Sequence, residues 1–293
     1  MVTSDPTNLC ELGHVASAAA LVARGNTRRQ IAAAAQLGRI HRVARGIYAC
    51  PHLDADSTAA ARAGGAIDCV SALARHEKQW AGIAAPGVHL RVRPHHHVAW
   101  MPRGAVVHWS ARLAQASHPL IVSSVDALLQ AMRCLPPYDA LACLESAMHT
   151  EYLDAAGLEM VLALAPLSMK GVLDRIDFGA GSGLETHARV KLVDAGHRVQ
   201  TQVEIPGAGK IDILVDDCVA LETDGKKWHG PERFMPDRTK DIRVEAWGIR
   251  SLRIGAAHVF EGWPETLATI ERMVRDAQAA RGSQPRRLWG TRG

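Results

Sequence analysis

No C-x-x-C pair and no zinc-type spacing occurs among the six cysteines, Cys10, Cys50, Cys69, Cys134, Cys143 and Cys218. Their scatter excludes a local zinc-binding or redox motif and predicts free, buried thiols in a reducing compartment. No apolar run approaches the ~20 residues that a membrane span needs. No Lys or Arg precedes Arg24, while Asp5 and Glu11 do, which argues against a signal peptide despite "ASAAALVA". These absences together predict a soluble cytoplasmic protein. Aromatic residues make up only 4% of the chain, and alanine takes much of the apolar share, which favours helices. The net charge of +4 is too small to signal a nucleic-acid partner, so any such signal has to come from how charge is distributed.

The length of 293 residues suggests two domains with a connecting piece, and 47% hydrophobic content is enough for a substantial core. The sharpest local absence is of acid: none occurs between Glu11 and Asp54, where Arg24, Arg28, Arg29, Arg39, Arg42 and Arg45 all fall. "ELGHVASAAALVARG" predicts a helix closed by Gly25. Thr27 is placed to cap a second helix, "RRQIAAAAQLG", stopped at Gly38, and "RIHRVARGIYAC" alternates around Gly46 as a short β-wing. Residues 1–52 therefore read as a winged helix-turn-helix whose six arginines contact DNA phosphates. The alternative is an arginine-bearing helical module that contacts protein.

Residues 53–178 predict a mixed α/β scaffold. It has a helix over 58–80, short strands in "GVHLRVRP", "HVAWM" and "AVVHWS", and helices from Ser124, through "DALACLESAMH" and around "GLEMVLALA". His95, His96 and His97 suit an ordinary turn better than a metal site, because neighbours on a strand point to opposite faces. "DFGAGSG" marks the boundary before a last domain, residues 179–281, and a basic tail follows over 282–293.

In the last domain the pattern predicts a helix at 184–195, strands near 198–205, 210–215 and 219–223, a helix at 236–247, the strand "IRSLRI" and a terminal helix at 264–280. This α-β-β-β-α-β-α order is a mixed sheet flanked by helices. Overall the class is α/β, α+β in its arrangement along the chain. A hairpin turning near Asp216-Asp217 sets residue 212 opposite 221 or 222. Alternation then puts Asp212 and Leu214 on one face with Ala220, Glu222 and Asp224. Ile211, Ile213, Val215, Val219 and Leu221 take the other. Two carboxylates facing each other across a ladder repel unless a counter-charge intervenes, and oxygen ligands in this number suit Mg²⁺. The plainer alternative pairs each acid with Lys210, Lys226 or Lys227 at a solvated edge.

The run from "GLETHARVKLVDAGHRVQTQVEIPG" through "KIDILV" and "ALETDGKKWHG" to "DRTKDIRVEAWGIRSLRI" resembles the PD-(D/E)XK nuclease core. The likeness is to the restriction-endonuclease-like branch grouped with very-short-patch mismatch-repair endonucleases, and it covers residues 182 to 262. Residues 9–50 resemble, more loosely, the winged-helix domain of AbiEi-type antitoxins, and "YDALACLESAMH" looks like the sequence that often joins the two.

The resemblance implies that Asp212 and Glu222 bind the metal (Mg²⁺ or Mn²⁺) with the carbonyl of Thr223, and that Glu185 reaches the same ion from the first helix. Asp224 stands where the plain nuclease pattern has its lysine, a departure that leaves Lys226 to supply the ammonium or His229 to act on the attacking water. Gln202, Asp237 and Arg238 would border the site. Glu185 has a rival role, since Ser182 and Glu185 form an S-x-x-E capping box, and "DRTKDIR" also suits a solvated helix. The expected activity is a metal-dependent DNA endonuclease. The competing expectation is a non-catalytic DNA-binding regulator or antitoxin on a degenerate nuclease fold, and a third is an RNA-processing enzyme.

Overall fold

Gly13 and His14 both take left-handed torsions, φ 73° and 65°, and that break decides how the chain begins. A computed structural model describes residues 9–75, 83, 86–96, 98, 100–224 and 234–281, the side chains of 224, 234–239 and 281 excepted. The expected single helix through "ELGHVASAAALVARG" is split at the break. Leu9–Leu12 forms one 3-10 turn, Val15–Ser17 is a strand (β1), and the helix proper is only Ala18–Ala23 (α1). Ser17 starts it, its hydroxyl accepting from Ala20 N at 3.0 Å. The next helix, Arg28–Gln36 (α2), opens on the expected Thr27. Thr27 Oγ1 accepts from Gln30 N, and Gln30 Oε1 accepts from Thr27 N. His41–Ala44 (β2) and Ile47–Ala49 (β3) form the wing, and the sheet order is β1-β3-β2, all antiparallel. Leu9, Leu21, Ile31, Ala34, Ile40 and Cys50 fill the small core beneath.

The expected helix over 58–80 is likewise broken. Ala55–Ala63 (α3) ends at Gly64, whose φ of 66° is a left-handed cap. At Gly65 an added Cβ would stand 2.3 Å from the Arg91 carbonyl, so glycine is required there. Ala66–Ile67 (β4) and the short helix Cys69–Leu73 (α4) follow. His89–Val92 (β5) and Val106–Trp109 (β6) realise two of the expected strands, in the order β4-β5-β6 with β5 and β6 parallel. The described residues of "HVAWM" form no strand. His95 lies in a turn with φ 62°, as expected, and His97 of the same trio lies outside the described residues. Helices Ser124–Cys134 (α5), Pro137–His149 (α6), Ala155–Leu164 (α7) and Lys170–Leu173 (α8) complete the region.

The C-terminal elements match the expected order. They are Gly183–Asp194 (α9), Val199–Ile205 (β7), Gly209–Val215 (β8), Val219–Asp224 (β9), Phe234–Ala246 (α10), Arg250–Gly255 (β10), a short Ala256–Phe260 (α11) and Trp263–Arg281 (α12). The sheet runs β10-β9-β8-β7, with β10 parallel to β9 and the rest antiparallel. The class is mixed α/β, with helices flanking mixed and antiparallel sheets.

The described residues fall into two compact units. One is built from residues up to 135 with 151–169, the other from 136–150 with 170–281. Helix α6, placed by the sequence in the middle region, thus belongs with the C-terminal sheet. The reason is ionic. Glu145, fully buried on α6, accepts from Arg189 Nη2 at 2.6 Å and Thr186 Oγ1 at 2.6 Å on α9, and from Asp177 N at 2.8 Å. Among the described residues no single helix is long and apolar enough to cross a membrane.

Candidate active site

The hairpin that carries the two expected metal ligands turns where its sequence says it should. Asp216 and Asp217 take φ 48° and 57°, and Cys218 N donates to Val215 O at 3.0 Å. Two successive left-handed residues make the tight turn whose twist matches that of paired strands, and aspartate tolerates this better than most residues. The β8–β9 ladder then runs from Val215↔Val219 to Ile213↔Leu221. That register brings Asp212 level with Glu222, but just past the last pair.

At this point alternation fails, and the assignment of faces needs correcting. Ile213, Val215, Val219 and Leu221 pack with α9 and α12 through Ala188, Leu192, Ile270 and Val274, as expected. Ile211 does not join them. It packs on the opposite side with Leu214, Ala220, Val203, Val244 and Ile249. On the facing strand the same switch occurs, since Val199 lies with the first cluster and Val203 with the second. The cause is Gln202, opposite Asp212 by register, whose φ of 51° is rare for a residue with a side chain. Asp212 therefore sits where the strands cross from one face to the other. Its Oδ2 accepts from Thr223 N at 2.8 Å and Thr223 Oγ1 at 3.0 Å, so a carboxylate occupies the place of a ladder acceptor. Thr223 meets Asp212 through its amide and hydroxyl, which leaves its carbonyl out of that contact.

Glu185, in the first turn of α9 and only 5% exposed, points to the same place. Ser182 caps the helix by accepting from Glu185 N at 3.1 Å, as the capping box requires. The carboxylate, however, accepts from Gly181 N at 2.8 Å, one residue earlier than a regular box, and from Gln202 Nε2 at 2.8 Å. Burial pushes the Glu185 carboxyl above its usual range, the Gly181 amide opposes this, and the charge of Asp212 adds to the rise. Glu222 is raised in the same way. Burial is the main cause, Lys240 opposes it, and Asp212 again repels. Both glutamates thus feel Asp212, and the three acids form one electrostatic unit.

Lys240, on α10, stands 2.6 Å from Glu222 Oε1 and forms an ion pair with it. This residue was missed. It lies in "DRTKDIR", where the charge spacing reads as a solvated helix, and only the return of α10 to the sheet brings its ammonium to the acid. Among the described residues Glu222 pairs with Lys240 rather than Lys210, and Lys226 and Lys227 lie outside them. The acid oxygens are spread more widely than a tight ligand set, for they do not all lie within 4.8 Å of one another. Mg²⁺ tolerates such a spread, because it keeps several waters and reaches some ligands through them.

Lys226 and His229 lie outside the described residues, as does the side chain of Asp224 at the end of β9. Asp237 and Arg238 sit on the first turns of α10, with side chains that also lie outside the description. Arg24, Arg28, Arg29, Arg39, Arg42 and Arg45 are all exposed, and among the described residues none is ion-paired. No protein-family model and no curated protein matches the chain.

Cys69, His89, His108 and Cys134 place one ligand atom each within 4.8 Å of one another, and so do Cys10, His14 and Cys50. The first set left no trace in the sequence, because its members lie far apart in the chain, and in the second only Cys10 and His14 are close in sequence.

Proposed function

We propose that this protein is a metal-dependent DNA endonuclease of the PD-(D/E)XK type, brought to its substrate by the N-terminal winged helix. What carries this is the electrostatic imbalance at the β7–β8–β9 switch. Asp212 repels both Glu185 and Glu222, and the only ion-pair partner of the three acids among the described residues is Lys240. A divalent cation relieves that repulsion. A cation held there lowers the pKa of a bound water and neutralises charge on the scissile phosphate.

Each group then has a distinct part. Asp212, held by Thr223, and Glu222 would hold the cation directly. Glu185, with Gln202 on its carboxylate, would complete its oxygen shell. Lys240 would take the role that Asp224 cannot fill, an ammonium beside Glu222 for a phosphate oxygen. The exposed arginines of the first unit neutralise phosphates and hold the protein on DNA without choosing a sequence.

The test is incubation with supercoiled plasmid, with and without Mg²⁺ or Mn²⁺. Cation-dependent nicks or breaks, lost in Asp212→Ala with DNA binding unchanged, are the expected result. The Glu222–Lys240 pair and the spread of the acid oxygens favour a second reading, a DNA-binding regulator on a nuclease fold that no longer cuts. A gel shift without cleavage under any divalent cation establishes that instead. Cleavage of RNA but not of DNA in a parallel reaction moves the substrate class to RNA.

A further inference from the structure

We infer that Cys69, His89, His108 and Cys134 form a structural zinc site in the first unit, separate from the acids of the proposed nuclease centre. The four come from α4, β5, β6 and α5, and their ligand atoms lie within 4.8 Å of one another. His89 Nδ1 is 3.2 Å from His108 Nε2, and Cys134 Sγ is 3.8 Å from His89 Nδ1. Zinc bonds of about 2.0–2.1 Å to nitrogen and about 2.3 Å to sulfur put tetrahedral ligand atoms roughly 3.3–3.8 Å apart. Both separations lie close to edges of that tetrahedron.

Hydrogen bonding alone accounts poorly for this convergence. His89 Nδ1 has either one proton or one lone pair, yet His108 Nε2 and Cys134 Sγ both approach it. A single ion between them satisfies all four groups. The far side of His108 is also prepared. Gln130, one turn before Cys134 on the same face of α5, lies 3.1 Å from His108 Nδ1 through its amide. Turned by half a rotation, that amide accepts the Nδ1 proton and leaves Nε2 free for a metal.

The elements that carry the ligands are locked together independently. Arg91, two residues after His89 and on the same face of β5, donates to Asp68 Oδ2 at 2.8 Å and to the Asp126 carboxylate. Asp68 immediately precedes Cys69, and Asp126 lies on α5 with Cys134. The buried triad thus holds three of the four ligand-bearing elements in register. Cys69 keeps φ 51°, a torsion seldom retained by a residue with a side chain. Cys69 and His89 are buried and Cys134 is the most open, which leaves that side for an ion to enter. Two thiolates and two imidazoles select zinc among the common divalent ions, and four protein ligands make a closed, structural site with no position for substrate.

The experiment measures zinc on the purified full-length chain after dialysis against a mild chelator, with Co²⁺ substitution as a spectroscopic probe. Zinc retained in Cys10→Ser and lost in Cys134→Ser is expected, as is a Co²⁺ spectrum of tetrahedral geometry with thiolate charge-transfer bands. Gln130→Leu keeps the four ligands and weakens zinc about 10–100-fold, which tests the site even if Cys134→Ser does not fold. The proposal is overturned if the wild-type chain takes up no zinc on titration. It is also overturned if the metal is lost in Cys10→Ser but kept in Cys134→Ser, which assigns it to Cys10, His14 and Cys50, or if alkylation and mass spectrometry find Cys69 and Cys134 joined as a disulfide.

Discussion

Two groups of carboxylates, one in each unit, are held on opposite terms. In the first unit, Asp68 and Asp126 are fully buried, and Arg91 lies between them. Its guanidinium also donates to the Asp126 carbonyl at 2.9 Å, while Leu113 N, Ala114 N and Ser123 Oγ fill the remaining acceptors of the Asp126 carboxylate. In the second unit, Glu185, Asp212 and Glu222 share a single described ion-pair partner, Lys240, and it touches only one of them. A closed arrangement of the first kind holds elements together. An open one leaves a standing demand for positive charge, which is what a cation or a phosphate-handling ammonium would meet.

The contrast can be broken or sharpened by substitution. The largest effect expected is on cleavage. Asp212→Ala should lower the plasmid-nicking rate roughly a thousandfold, the several kcal/mol that a metal supplies to such a reaction, with little change in melting temperature. Arg91→Met should do the reverse, destabilising the fold by about 3–5 kcal/mol because two acids are left buried without a partner. Chemical denaturation measures it, and added Mg²⁺ should not rescue it. A loss under 1 kcal/mol would show the triad to be less closed than its geometry.

Lys240→Ala separates the two roles of that ammonium. Cleavage should fall by roughly a hundredfold, while the Mg²⁺ concentration for half-maximal activity should drop, since the ion no longer competes for Glu222. A rise in that concentration would mean that Lys240 helps to build the metal site.

The smallest effect concerns pH. Burial and the charge of Asp212 raise Glu222 above its ordinary value of 4.5, so without metal the folded state holds that proton more tightly than the unfolded chain. The favourable contribution is complete below pH 4.5 and is lost as pH rises through the raised folded value. Glu222→Gln should therefore flatten the decline in metal-free stability over that interval. An unchanged slope in thermal melts against pH would exclude Glu222 as its source.

Much of the fold was legible where its signals are local. Asp216-Asp217 turned a hairpin between apolar runs, Ser182 and Thr27 capped helices, and period-two alternation separated Ile213 and Leu221 from Leu214 and Ala220. The failures had a common cause. The helices expected through Gly13 and Gly64 were broken at left-handed residues set against distant parts of the chain, where an added Cβ would stand 2.7 Å from Pro119 Cδ and 2.5 Å from His96 Nε2. Ile211 left its expected face because a torsion on the neighbouring strand reversed the alternation. Lys240 and the set of Cys69, His89, His108 and Cys134 were invisible because folding brings distant residues together and chain spacing records nothing of it. The candidate acids could be named from the sequence. Their neighbours could not.

The left-handed kink at Gln202 makes the aim of Asp212 a property of the main chain rather than of the side chains packed around it. Trimming Ile213 or Leu214 should lower thermal tolerance well before it redirects the acid. Glycine at 202 would ease the torsion and strip the amide from Glu185 in one stroke, so the direction of one carboxylate and the solvation of another are secured by a single residue.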